Sequence, residues 1–192
     1  SVITPCNYTM TDGYVKRLEK RITSPFLNKT WYCVGDSLTD NFNNPLPAKR
    51  YYHFIHEETG ISYSMLGVGG SGYKNEDNEG QAFYQRVDRI PSNADIVTIF
   101  GSFNDIGLTL GDISDNTTDT ICGCINKTLE VIYNTNPNMK IGIISPTPWG
   151  TINEFVNTEY AQKGKAYLGK LEEIAKRNSI PYLDLYHCSG LR

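Results

Sequence analysis

Four stretches of this 192-residue chain hold side chains that could do chemistry together. They are Gly35-Asp36-Ser37-Leu38, Gly67-Val68-Gly69-Gly70-Ser71-Gly72, Gly101-Ser102-Phe103-Asn104-Asp105 and Asp184-Leu185-Tyr186-His187. A serine hydroxyl is a weak nucleophile until a neighbouring imidazole accepts its proton. Of the three histidines, His187 alone follows a strand-like segment with an acid, Asp184, three residues before it. Asp184 would hold the imidazole's tautomer and stabilise the imidazolium. Ser37 then reads as nucleophile and His187 as its base, and activity is expected to fall in acid, because the base must be neutral. A tetrahedral intermediate also needs donors aimed at its oxyanion, each worth about 3 kcal/mol of barrier. The backbone N–H groups of Ser37 and Gly70 and the side chain of Asn104 would supply three.

These residues also have plainer readings. Ser37 could cap a following helix. Asp36 and Asp40 read as braces of their loop, and Asp105 as structural. Gly67-x-Gly69-x-x-Gly72 matches a dinucleotide-binding fingerprint, but a polar run follows it where a helix should start, and no acid ends the next strand. His53 and His56, beside Glu57 and Glu58, share a helix face without further ligands and read as a solvated surface. Of the five cysteines (6, 33, 122, 124 and 188), an odd, irregular set, none suggests a disulfide framework or zinc; they read as small buried hydrophobes. Cys188, next to His187, is a rival thiol that lacks an upstream base. Trp149, after Pro146-Thr147-Pro148, would overhang the same face as the four stretches, either stacking on a sugar or closing the core edge.

The elements that must position these residues are legible. Thr30–Val34, Ile61–Leu66, Ile96–Phe100, Ile141–Ser145 and Ile180–Leu185 are short β-branched or aromatic runs, predicted as strands buried on both faces of a parallel sheet. Helical spacing is clear for Ile121, Cys122, Ile125, Leu129 and Ile132, and for Tyr160, Tyr167, Leu168, Leu171, Ile174 and Ala175. Further helices are expected over Ala48–Glu58 and Gln81–Arg86. The alternation predicts a three-layer α/β fold with right-handed crossovers. Each chemical stretch then follows a strand, where open parallel sheets place their sites. Residues 1–29 read as a lead-in segment, with Tyr14–Ile22 a short charged piece, and residues 30–192 as the domain proper.

In family order, these stretches resemble the blocks of the SGNH (GDSL) hydrolases. Gly-Asp-Ser-Leu around Ser37 is similar to the first block, Gly70 to the second, Asn104-Asp105 to the third and Asp184-x-x-His187 to the fifth. The third block departs from the usual Gly-x-Asn-Asp by one additional residue. The resemblance implies a flavodoxin-like five-stranded parallel sheet with helices on both faces. It also implies a Ser-His-Asp mechanism that needs no cofactor or metal, acting on esters and often on acetyl esters of sugars. The expected substrate is thus a small-molecule or polysaccharide ester. A short-chain lipase or thioesterase would use the same residues, and a silent glycan-binding domain would keep the fold without turnover.

A net charge of −3 offers no basic field for nucleic acid. No apolar run reaches the ~18 residues of a membrane span. The absence of a starting methionine and an Asn- and Tyr-rich composition suggest a piece of a larger extracellular, cell-surface or virion-associated protein, such as a phage-tail assembly. Four Asn-x-Ser/Thr triplets, at Asn7, Asn28, Asn116 and Asn126, matter only in a eukaryotic secretory pathway.

Overall fold

The computed structural model describes residues 22–41, 49–75, 80–148 and 158–190. Most of the expected lead-in segment and Trp149 lie outside these residues. Strands β1 (Thr30–Gly35), β2 (Ser62–Gly67), β3 (Ile96–Phe100), β4 (Lys140–Ile144) and β5 (Tyr182–Leu183) form one sheet in the order β2-β1-β3-β4-β5. All pairings are parallel. The intervening helices are α1 (Tyr51–Thr59), α2 (Phe83–Arg86), α3 (Ile121–Thr135) and α4 (Glu159–Arg177), and α5 (Leu185–Cys188) follows the last strand. This is the flavodoxin-like α/β architecture.

Period-two alternation divides the core. On one face Trp31 and Cys33 pack with Tyr52 and Ile61, under α1. On the other, Val34, Val97, Ile99, Ile141 and Ile143 meet the apolar stripes of α2, α3 and α4. Helices therefore cover both faces unequally. The stripe expected on α3 is wholly buried, with Thr120 as its N-cap accepting from Gly123 N–H at 3.1 Å. On α4 the stripe holds from Tyr167 to Ala175, but Tyr160 is 47% exposed. It lies in the first turn of the helix, ahead of that buried face.

Two other expectations shift. The predicted helix at 81–86 shrinks to one turn and passes into a 3-10 turn at Val87–Arg89. The predicted strand Ile180–Leu185 keeps only Tyr182 and Leu183 as ladder residues. At its start Ile180 N–H turns back to Ala175 O at 2.9 Å, and at its end Asp184 caps α5 instead of extending the ladder. Among the described residues no helix is long and apolar enough to cross a membrane.

Candidate active site

In the order β2-β1-β3-β4-β5 successive strands are added on opposite sides of β1, and this switch between β1 and β3 opens a crevice beyond their carboxyl ends. The turn after β1 and the turn after β3 both enter it. After β1, Asp36 O accepts Thr39 N–H at 3.0 Å and Asp40 N–H at 2.8 Å, while the Asp36 carboxylate accepts Leu38 N–H at 2.9 Å. Asp40 reaches across to Gly69 N–H at 2.9 Å. Burial pushes the Asp36 carboxyl upward from its ordinary value, and a hydrogen bond from Ser102 opposes this. Both acids brace the loop, as expected. The turn fits only because Gly35 and Gly67 lack side chains: a Cβ on Gly35 would lie 2.1 Å from Thr39 Oγ1, and one on Gly67 2.4 Å from Asp40 N. Ser37 is left exposed at the tip, and its side chain makes no hydrogen bond to another described residue.

Ser37 lines a cavity of about 310 Å³ together with Leu38, Phe103, Asn104, Pro146 and Pro148. Asn104 sits in the 3-10 turn Phe103–Asp105, which Ser102 caps by accepting Asn104 N–H at 3.1 Å. The additional residue in this block is thus absorbed by the capped turn, and Asn104 still faces the cavity. Asn104 Nδ2 donates one proton to Ser71 O at 2.9 Å, which leaves its second for another acceptor.

The backbone that continues the glycine-rich loop after β2 wraps the protein's own carboxylate, that of Asp105. Asp105 is fully buried and accepts N–H from Tyr73, Lys74 and Asn75 at 2.7, 3.0 and 2.7 Å. This arrangement accords with the structural reading of Asp105. Gly70 adopts φ +78°, a left-handed conformation natural to glycine, and its carbonyl accepts from Asn75 Nδ2 at 2.8 Å. The backbone N–H groups of Gly70 and Ser37 have no partner among the described residues.

Burial pushes the Asp105 carboxyl up to about 6, against the pull of its three backbone donors. Between its ordinary 3.8 and about 6 the folded chain binds a proton that the unfolded chain releases. The contribution of Asp105 to stability therefore declines as pH rises through that window. Gly72 packs directly on this carboxylate, and a Cβ there would lie 2.5 Å from both oxygens. Gly72→Ala is expected to destabilise the fold by about 1–3 kcal/mol, read as a lowered urea midpoint at unchanged slope.

Asp184 and His187 form the second half of the site. Asp184 is the N-cap of α5, and its carboxylate takes His187 N–H at 3.0 Å and the ring Nδ1 at 2.7 Å. A carboxylate on Nδ1 places the ring proton there and leaves the Nε2 lone pair free to act as base. The His187 side chain is 56% exposed. Tyr186 pins this short helix to the end of β4 by donating N–H to Ser145 Oγ at 2.9 Å, and its ring meets Phe103 edge-on at 6.0 Å.

The structure thus brings Ser37 and Asn104 to one cavity and joins Asp184 to His187. Among the described residues no hydrogen bond links Ser37 to His187; the Phe103–Tyr186 contact spans the two halves. Tyr186 and the buried Arg86 were missed in the sequence, where nothing distinguishes them from ordinary surface and helix residues.

His53 and His56 are not a free solvated face. His53 Nδ1 accepts Arg50 N–H at 2.8 Å, His56 Nδ1 lies 2.7 Å from Ile61 O, and both rings pack on Tyr63. Cys33, Cys122 and Cys124 are buried thiols, and desolvation pushes Cys33 up to about 12 and Cys122 to about 11. Cys188 departs from the expected buried packing role: it is exposed, as the last residue of the short helix α5, while Cys6 lies outside the described residues.

The sequence model of the GDSL-like lipase/acylhydrolase family matches residues 33–191, a span that holds all four stretches. No curated protein matches the chain. Among solved structures, a protein from Lactobacillus plantarum shares 24% identity at TM-score 0.72, over 85% of this chain and 79% of its own. A carbohydrate acetylesterase family member from Sinorhizobium meliloti shares 14% identity at TM-score 0.61, over 81% and 82%. A family two carbohydrate esterase from Clostridium thermocellum, solved in complex with cellohexaose, shares 16% identity at TM-score 0.56, over 83% and 55%. At these identities the likeness is one of fold, whereas the sequence match spans most of the chain: the protein belongs to the GDSL-like lipase/acylhydrolase family and is an ester hydrolase.

Proposed function

We propose that this enzyme removes short acyl groups, acetyl above all, from carbohydrate through an acyl-Ser37 intermediate. The observation that carries the reading is the meeting of an exposed Ser37 with Asn104 on one cavity, beside two backbone N–H groups that have no partner among the described residues. In the proposed mechanism Ser37 Oγ attacks the ester carbonyl and gives its proton to His187 Nε2, with Asp184 holding Nδ1. The oxyanion accepts from Ser37 N–H, Gly70 N–H and the second Asn104 amide proton. Collapse expels the alcohol, which takes the proton back from His187, and water then repeats the sequence to release the acid. The Ser37–His187 contact closes when substrate binds, as catalytic hydrogen bonds commonly do.

The preference for a small acyl group is supported by the modest cavity, walled by Leu38, Phe103, Pro146 and Pro148. The carbohydrate half is suggested by fold neighbours named as carbohydrate esterases. The test compares kcat/KM for p-nitrophenyl acetate, butyrate and octanoate, with acetate release from acetylated xylo-oligosaccharides. Acetate is expected to lead, with octanoate at least about tenfold slower. A preference for octanoate would instead assign the short-chain lipase or thioesterase class. Inertness on every ester would favour a glycan-binding domain without turnover.

A further inference from the structure

Arg86 is the largest fully buried side chain among the described residues, and the proposed mechanism leaves it without a task. Burial of a guanidinium is costly unless its donors are satisfied, so its partners show what that cost maintains. Nη2 donates to Gly35 O at 2.6 Å, at the last residue of β1. Nε donates to Leu66 O at 3.0 Å, near the end of β2. Nη1 donates to Ser71 Oγ at 2.9 Å and also to Gln81 O. Its Cζ lies over the Phe83 ring, 4.9 Å from the centroid. Burial lowers its pKa only to about 10, so the group stays charged at neutral pH.

Two of these partners, Gly35 and Ser71, lead to the proposed oxyanion donors. Gly35 directly precedes Asp36-Ser37, whose N–H is the first. Ser71 follows Gly70, the second, and its hydroxyl also bonds Val68 O at 2.7 Å, which closes the loop beneath Gly70. Ser71 O in turn receives the amide of Asn104, the third, at 2.9 Å. One planar group thus ties β1, β2 and the glycine-rich loop, and through Ser71 it reaches the turn after β3. A fork of five fixed donors can do this, whereas an ammonium on a flexible stem cannot hold the same acceptors in one plane.

We infer that Arg86 is the positioning residue of the oxyanion site, a buried fork that sets the spacing of the Ser37 and Gly70 N–H groups and aims the Asn104 amide. The inference rests on the Ser37 mechanism proposed above. Misplacement of such donors by about 1 Å costs on the order of 10²-fold in rate. Because these donors act on the transition state, the loss falls on kcat and leaves KM nearly untouched.

The experiment compares wild type with Arg86→Lys, each counted by stoichiometric labelling with a p-nitrophenyl phosphonate and peptide mass mapping. kcat per labelled site and KM are then measured on p-nitrophenyl acetate well below each protein's melting temperature. The expected result is a fall of about 10²-fold in kcat per labelled site, with KM within about threefold and folding retained by near-ultraviolet circular dichroism. A folded Arg86→Lys with wild-type kcat per site would overturn the proposal, since a purely structural arginine changes how many sites are folded and not how fast each works. Should Arg86→Lys fail to fold, Ser71→Ala decides: it breaks the Nη1–Oγ tie while keeping the guanidinium. A loss of about tenfold or more in kcat supports the proposal, and unchanged kcat sinks it. Labelling of the wild type anywhere other than Ser37 counts against the catalytic reading itself, separately from the role of Arg86.

Discussion

Ser37→Ala is expected to lower kcat/KM on p-nitrophenyl acetate by at least about 10³-fold while leaving the protein folded. The size follows from what the hydroxyl does: without Oγ no acyl-enzyme forms, and the remaining donors can only polarise the carbonyl toward water. The specificity of the test follows from the local structure. Ser37 is exposed, and its side chain supports no other described residue, so the substitution should shift stability by no more than about 0.5 kcal/mol. The measurement pairs steady-state hydrolysis with a thermal melt. A variant that melts like wild type and keeps its activity would remove Ser37 from the chemistry, and exposed Cys188 would be the next residue to replace.

Asp184→Asn should cost nearly as much, on the order of 10³–10⁴-fold in kcat. Asp184 accepts from His187 twice, once at the backbone N–H and once at Nδ1. An asparagine can satisfy the backbone donor with its single oxygen and then presents an amide N–H to Nδ1. That pairing favours the tautomer with its proton on Nε2, which cannot accept from Ser37. The cap of α5 survives, so folding should change little, and the loss should appear in kcat with KM nearly constant. Full-length assays on Asp184→Asn and Asp184→Ala separate tautomer from charge, and a loss below tenfold in both would show that Asp184 does not orient the base.

Residues with local signals were legible in the sequence. The runs at Thr30, Ile96 and Ile141 gave strands within a residue of those observed, because β-branched stretches bounded by Gly or Ser have few other ways to be buried. Asp184 was legible as a partner of His187 because it is the acid three residues before the one histidine that follows a strand-like run. The shortening of β5 was less visible, because the side chain that ends the strand is the one that serves the histidine. Arg86 could not be read, since its partner Gly35 lies 51 residues away and its sequence neighbours suggest only the polar end of a helix. The same holds for Tyr186, whose meeting with Phe103 depends on two strand ends coming together across the sheet.

The two halves of the proposed triad rest on foundations of unequal strength. Ser37 follows a strand flanked on both sides by neighbours, whereas His187 follows a two-residue strand at the sheet's edge. That edge is tied through Ile143 N–H to Pro181 O, Ser145 N–H to Leu183 O and Tyr186 N–H to Ser145 Oγ. Edge segments with few buried contacts open at lower free energy than the body of a domain. Fraying of this border would carry the base away from the nucleophile while the remaining four strands stay paired. On warming, turnover should therefore fade reversibly before the cooperative melt begins, and the upper temperature limit of catalysis would be set by the attachment of one short hem rather than by the stability of the core.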